Sequence, residues 1–272
     1  MEKILLLIPL ELLKSPPSRF NYGVPERIIS KLNLKIDNSP IIADLISSIV
    51  VARDSEIRYL EIGTSIGKTA YLVMALASAI RAPLCCFCLD IEEINPEFAR
   101  MMELLLQAKL KKISFEQEIF PKRLAFAFNS QHDTDNSLTK IGDNFLYVCG
   151  DEYDVSTWSI VADTTPVGGF NCIYSDALHE PSALRFEYSL LKSHRLFCQT
   201  SLHYFFDDLE YSPHLGEAKN GIWSSVLAIA SDLMGLFSDV RIYGGQVNGW
   251  LGQHEHSHGV GLIVATNRSC RL

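Results

Sequence analysis

From Ile57 onward the chain alternates short apolar runs with longer helical stretches, and this order constrains the fold more than any other feature. The runs Arg58–Ile62, Leu84–Ile91, Phe145–Cys149, Phe170–Ser175 and Leu202–Phe206 are strand candidates. Between them lie Thr69–Ile80, Pro96–Lys111, Val155–Ala162 and Pro181–Lys192, with Ile222–Phe237 beyond the last, all helical in pattern. Such an order builds a mostly parallel sheet through right-handed crossovers. Asn95 is expected to cap the second helix, with Pro96 at its first position, where no N–H is needed. The end differs, because Val240–Gln246 and Gly259–Ala265 are strand-like with no helix between them. The expectation is an α/β fold: a doubly wound, mostly parallel seven-stranded sheet closed by a terminal antiparallel hairpin.

Residues 1–55 read as an N-terminal helical segment and residues 56–272 as the main domain. Within the segment, Pro16-Pro17 is a break, and Ser39-Pro40 followed by Ile41, Ile42, Leu45, Ile46, Ile49 and Val50 reads as a capped amphipathic helix. The opening Ile4–Leu10 is apolar but too short to span a bilayer, and it lacks a small-residue cleavage site; it reads as a strand or helix of the mature protein. A soluble, cytoplasmic protein is expected. A chain of 272 residues with 47% hydrophobic side chains can bury a sizeable core. Its net charge of −8 offers no long-range attraction to phosphate backbones, so a small-molecule substrate is expected rather than a nucleic acid. The seven cysteines mostly lie in apolar runs, and Cys85-x-x-Cys88 falls inside a strand without a second pair at ligand spacing, so they read as free core thiols. Residues 113–143, with the polar run Asn129–Asn136, are the least regular part and read as an insertion, either a solvated loop or a carrier of substrate contacts.

The first strand ends in Glu61 and turns through Gly63-Thr64-Ser65-Ile66-Gly67 into a helix starting at Lys68 or Thr69. Glycines there let the backbone pass close to a ligand and aim helix N-terminal N–H groups at it. Two readings compete. A phosphate-binding P-loop needs four residues between its glycines, followed by Lys and Ser or Thr; this loop has the Lys68-Thr69 pair but only three spacers. Glu61 would also repel phosphates, although His203–Asp208 could imitate the acidic strand of a nucleotide hydrolase. A cationic ligand without phosphate, such as a sulfonium amino acid, suits that acid better.

The segment Leu60-Glu61-Ile62-Gly63-Thr64-Ser65-Ile66-Gly67-Lys68-Thr69 resembles motif I of the class I S-adenosylmethionine-dependent methyltransferases, with Ser65 in place of the middle glycine. The resemblance runs through roughly residues 56–266 and implies the Rossmann-like methyltransferase fold. It also implies a site: Glu61, Gly63, Thr64, Ser65 and Gly67 around S-adenosylmethionine, Asp90 on the ribose hydroxyls with Glu92 as a rival, and Asp151 on the adenine side. Asp176-x-x-His179 after the fourth strand and Asp207-Asp208 after the fifth resemble the subfamily of small-molecule and sugar O-methyltransferases, whose members often hold a divalent metal there. On that resemblance Asp176, Asp207 and Asp208 are metal ligands for Mg²⁺, Asp176 also belongs to the catalytic centre, and His179 is the general base in a position where related enzymes carry Lys.

The acids after the fourth and fifth strands also follow from topology, since ligands bind at the carboxyl ends of parallel strands. The competing account is that they cap turns and helices. His254, His256 and His258 alternate between the last two strands and read either as a zinc arrangement or as a surface loop. The leading function is methyl transfer to a small molecule, to oxygen, with possible help from a metal. The alternatives are a non-catalytic S-adenosylmethionine-binding or regulatory module and a P-loop-like nucleotide hydrolase. The partners expected are a small-molecule methyl acceptor and at most a second copy of the chain in a homodimer, with no nucleic acid and no membrane.

Overall fold

The computed structural model describes residues 6–9, 56–65, 67–79, 82–107, 115–120, 136–142, 144–178, 180–207, 222–247 and 258–267. In chain order its elements are strands β1 (Leu6–Pro9) and β2 (Ile57–Ile62), helix α1 (Lys68–Ala79), strand β3 (Leu84–Asp90) and helix α2 (Pro96–Gln107). Strands β4 (Phe115–Phe120), β5 (Asn136–Ile141) and β6 (Phe145–Cys149) and helix α3 (Val155–Thr164) follow. The last are strand β7 (Cys172–Ser175), helix α4 (Pro181–Ser193), strand β8 (Ser201–Phe206), helix α5 (Ile222–Leu233) and strands β9 (Asp239–Val247) and β10 (His258–Thr266). All seven expected strands are present, and they form an α/β fold. They pair in parallel wherever β10 is not involved. The β9–β10 hairpin is antiparallel, as the pattern predicts, and β10 also pairs antiparallel with β8.

The chain forms two compact units, residues 22–166 and residues 1–21 with 167–272. In the first, β3 lies between β2 and β6, whose apolar residues are buried on both faces, as a parallel sheet covered by helices requires. Asn95 does cap α2: its Oδ1 accepts from the N–H groups of Glu97 at 2.9 Å and Phe98 at 3.2 Å. Phe98 then meets Phe145 edge-on at 5.6 Å, which seats α2 on the face of β6 that carries Phe145 and Tyr147.

The expectation for residues 113–143 needs correcting. This stretch contains β4 and β5, which extend the sheet antiparallel beyond β6. Asn136, Ser137 and Thr139 of β5 are buried despite their polarity. Pairing on both sides satisfies the strand's backbone, and Asn136 Nδ2 donates to Ser156 Oγ at 2.9 Å. A polar strand of this kind has no apolar alternation for a sequence reading to find.

In the second unit, β8 lies between β7 and β10, and β9 joins β10 to β1. Ile4–Leu10 thus supplies a short strand; the rest of the expected N-terminal helical segment, including the Ser39-Pro40 helix, lies outside the described residues. Helix α4 is tied to α5 by Asp232, which accepts from Tyr188 at 2.6 Å and pairs with Lys192 at 2.6 Å. Tyr188 stacks on Phe197, which meets Phe237 at a tilt, within this core. Helix α5 stops short of the expected Phe237 because its last turn closes on Asp232 and Leu233 carbonyls. No helix among the described residues is long and apolar enough to cross a membrane.

Candidate functional site

The turn after β2 is built on backbone that glycine makes accessible. Gly63 and Gly67 have φ of +84° and +73°, where a β-carbon is strained, and Ser65 between them has φ of +50°. At Gly67 a β-carbon would also lie 2.4 Å from the Phe98 ring, so the missing side chain there admits α2.

The N–H groups of Gly63, Thr64, Ser65 and Gly67 are committed to protein acceptors. Gly63 and Thr64 donate to Leu89 O at 2.8 and 3.3 Å, and Gly67 donates to Thr64 O at 2.8 Å. Ser65 N donates to Asp90 Oδ2 at 2.5 Å. The other Asp90 oxygen accepts from Glu92 N at 2.9 Å. One carboxylate therefore joins the turn after β2 to the turn after β3. Three further bonds hold the second turn: Gly150 N to Asp90 O at 2.7 Å, Tyr147 OH to Glu92 O at 2.9 Å and the Cys149 thiol to Ile91 O at 3.5 Å. Asp90 is half-buried and Glu92 exposed, so of the two rivals Asp90 is the one built into the turns.

Glu61 is 1% exposed, and its Oε2 accepts from the Tyr59 hydroxyl at 2.5 Å. Among the described residues no cation pairs with it. Burial pushes its carboxyl up from the usual 4.5 to about 8; the Tyr59 hydrogen bond opposes the rise and the charge of Asp90 adds to it. Asp151, on the turn after β6, accepts from Tyr153 N at 2.8 Å with Oδ1, and the half-buried side chain remains at the strand's carboxyl end. Gly150 before it leaves room for Thr157: a β-carbon would lie 2.5 Å from Thr157 Oγ1.

In the second unit, Asp176 and Asp207 are half-buried and follow β7 and β8 one step beyond the register pair Ser175–Phe206. Asp207 N donates to Ser175 O at 3.0 Å, and its Oδ2 accepts from Tyr174 OH at 2.6 Å. Buried Glu187 of α4 accepts from Ser175 Oγ at 2.7 Å and from Tyr204 OH. Burial raises its carboxyl to about 7, against both hydrogen bonds. His203 of β8 is buried and pushed down to about 4 by desolvation, which leaves it neutral. His179 and Asp208 lie outside the described residues, as do His254 and His256; His258 opens β10. Among the described residues no group of three or more His, Cys, Asp or Glu is arranged to hold a metal. Of the residues brought together here, Tyr59, Phe98, Tyr174 and Glu187 were given no role of their own from the sequence. Tyr59 alone was signalled locally, since it lies two positions before Glu61 and so on the same strand face.

No family model and no curated protein matches the chain. Solved structures of similar arrangement include the O-methyltransferase from Bacillus cereus in complex with SAH, 12% identical, covering 93% of this chain and 96% of that one at a TM-score of 0.48. Another is the O-methyltransferase TomG from Streptomyces achromogenes in complex with SAM, 14% identical, covering 95% of each chain at 0.46. A third is the SAH-bound methyltransferase PaMTH1 from Podospora anserina, 12% identical, covering 95% and 93% at 0.43. The strand pairing, strand directions and loop conformation, rather than these similarities, define the fold.

The buried carboxyl has a consequence for stability. A folded-state value raised above the unfolded one stabilises the fold fully below about 4.5 and loses that contribution as pH rises towards about 8. Chemical denaturation at pH 5 and pH 8.5 is expected to show a loss of stability in the wild type that Glu61→Gln reduces by at least about 1.4 kcal/mol, the equivalent of one pKa unit. Equal losses in the two proteins would contradict a buried, uncompensated Glu61.

Proposed function

We propose that the chain is an S-adenosylmethionine-dependent methyltransferase acting on a small molecule, with oxygen as the accepting atom. The observation that carries the reading is the pairing of a buried carboxyl with a turn in which the N–H groups of Gly63, Thr64, Ser65 and Gly67 already have acceptors. A phosphate needs those N–H groups free and no acid beside it. A ligand that brings an ammonium and a sulfonium supplies the positive charge that Glu61 lacks.

In this reading residues 56–272 form the cofactor-binding domain and residues 1–55 an appended segment. Glu61 takes the cofactor's amino group. Gly63, Thr64, Ser65 and Gly67 shape the floor on which the amino acid end lies. Asp90 retains lone pairs beyond its two backbone bonds and accepts from the ribose hydroxyls. Asp151 sits on the adenine side.

Asp176 and Asp207, with Asp208, offer the hard oxygen donors that Mg²⁺ prefers. Such an ion, when bound, lowers the pKa of an acceptor hydroxyl and orients it. Tyr174 holds the Asp207 carboxylate from the side. His179 takes the hydroxyl proton, a role that suits imidazole because its unperturbed pKa lies near neutrality.

Calorimetric titration is expected to show heat of binding for S-adenosylmethionine and none for ATP. Gly63→Val, which places a branched side chain at a positive φ on the ligand's floor, should weaken S-adenosylmethionine at least tenfold, about 1.4 kcal/mol. Unchanged affinity in the folded variant, or tight binding of ATP alone, would overturn the assignment. For the acceptor end, EDTA should abolish methyl transfer while leaving cofactor binding intact, and His179→Ala should lower kcat by about 10²–10⁴. Full activity under either condition would remove the metal or the base from the account.

A further inference from the structure

We infer that Tyr59 is a positioning residue for the cationic ligand: its buried phenol orients the Glu61 carboxyl and supports that carboxyl's charge. The inference rests on the reading of Glu61 given above and adds a residue that the loop resemblance does not contain.

Positions 59 and 61 share a face of β2 because strand side chains alternate. Both side chains are 1% exposed, and the phenol donates to Oε2 at 2.5 Å. A strand buried on both faces ordinarily takes an aliphatic residue at such a position, since a buried hydroxyl without an acceptor costs about 1–3 kcal/mol. Here Glu61 is the acceptor. Tyr147, on the same face in β6, donates elsewhere, to Glu92 O at 2.9 Å.

The groups around Glu61 divide clearly. On β3, Cys88 lies beside it in register, and burial pushes its thiol well above the usual range, so it stays neutral. Cys86 is on the same face of β3, and Asp90 at the strand's end repels a second negative charge. Helix α1 carries Lys68 and half-buried Tyr71, and the charged Glu97, Arg100 and Glu103 of α2 are exposed. Among the described groups, the Tyr59 hydroxyl is the one that favours the ionised carboxyl. Below about pH 8 a cationic ligand must drive a proton off Glu61, so the ratio of wild-type to Tyr59→Phe affinity, in which the titration of the ligand's own amino group cancels, falls with pH until both carboxyls are charged without help. Removing the phenol moves that charging to higher pH.

The experiment uses the full chain as wild type, Tyr59→Phe, Glu61→Gln and the double variant, with two readouts. The first needs no ligand: stability is followed by chemical denaturation from pH 4.5 to 10. Tyr59→Phe should shift the midpoint of the pH-dependent loss upward, Glu61→Gln should remove most of it, and the double variant should behave as Glu61→Gln. The second is the affinity for S-adenosylmethionine across the same range. Tyr59→Phe should weaken binding about tenfold at pH 7, a one-unit shift in titration, and should converge on the wild type above pH 9. A loss of equal size at every pH would mean a merely structural role and would overturn the inference, as would an unmoved midpoint in the ligand-free protein. If the ligand-free midpoint shifts but the wild type binds no S-adenosylmethionine, the phenol–carboxyl coupling stands and the cofactor reading fails. Should Tyr59→Phe not fold, the ligand-free comparison is made with Tyr59→Met, a flexible apolar side chain that carries no hydrogen-bond donor; a midpoint equal to that of the wild type would then be the overturning result.

Discussion

The Asp90 carboxylate fastens the turn after β2 to the turn after β3, and the candidate site depends on that joint. One oxygen takes the Ser65 N–H and the other the Glu92 N–H. This joint holds Ser65 at φ of +50°, together with the Gly67 N–H bond to Thr64 O that closes the turn. The joint also brings a second acid near buried Glu61, which raises that carboxyl further. Loop geometry and site electrostatics are thus consequences of the same residue.

These electrostatics decide what the turn can accept. Strand–glycine–helix junctions bind phosphates when their N–H groups point at the ligand and the surroundings are neutral or basic. Here the N–H groups of Gly63, Thr64, Ser65 and Gly67 all have protein acceptors, and two carboxyl groups stand close by. The turn is a scaffold, and recognition is left to side chains. A cation satisfies Glu61 by drawing off its proton; an anion gains nothing from the neutral carboxyl and meets the charge of Asp90. Tyr59 fits this scheme as the neutral donor that makes a desolvated carboxyl usable.

Much of this was readable from residues alone. The strand ends and the two glycines follow from strand periodicity and from the conformational demands of a tight turn, the choice of Glu61 and Asp90 follows from the motif resemblance, and Asn95-Pro96 announced the start of α2. Other features depend on contacts between distant segments. Nothing local says that the missing side chain of Gly67 makes room for Phe98, or that Asp90 is a clamp between two backbones. Strand β5 was hidden because Asn136, Ser137 and Thr139 are buried beside Leu138 and Ile141, which leaves no alternation of apolar and polar residues to read. Glu187 looks like one more polar position on an amphipathic helix until Ser175 and Tyr204 are placed against it.

The central claim is that Glu61 and Asp90 flank one cationic, phosphate-free ligand held on the turn between them. A crystal structure with S-adenosylhomocysteine tests it most directly. The account predicts the ligand's amino group within hydrogen-bond distance of Glu61 and its ribose hydroxyls on Asp90, with the turn from Gly63 to Gly67 unchanged. A ligand bound elsewhere, or an anion seated on the turn with Glu61 turned away, would contradict it.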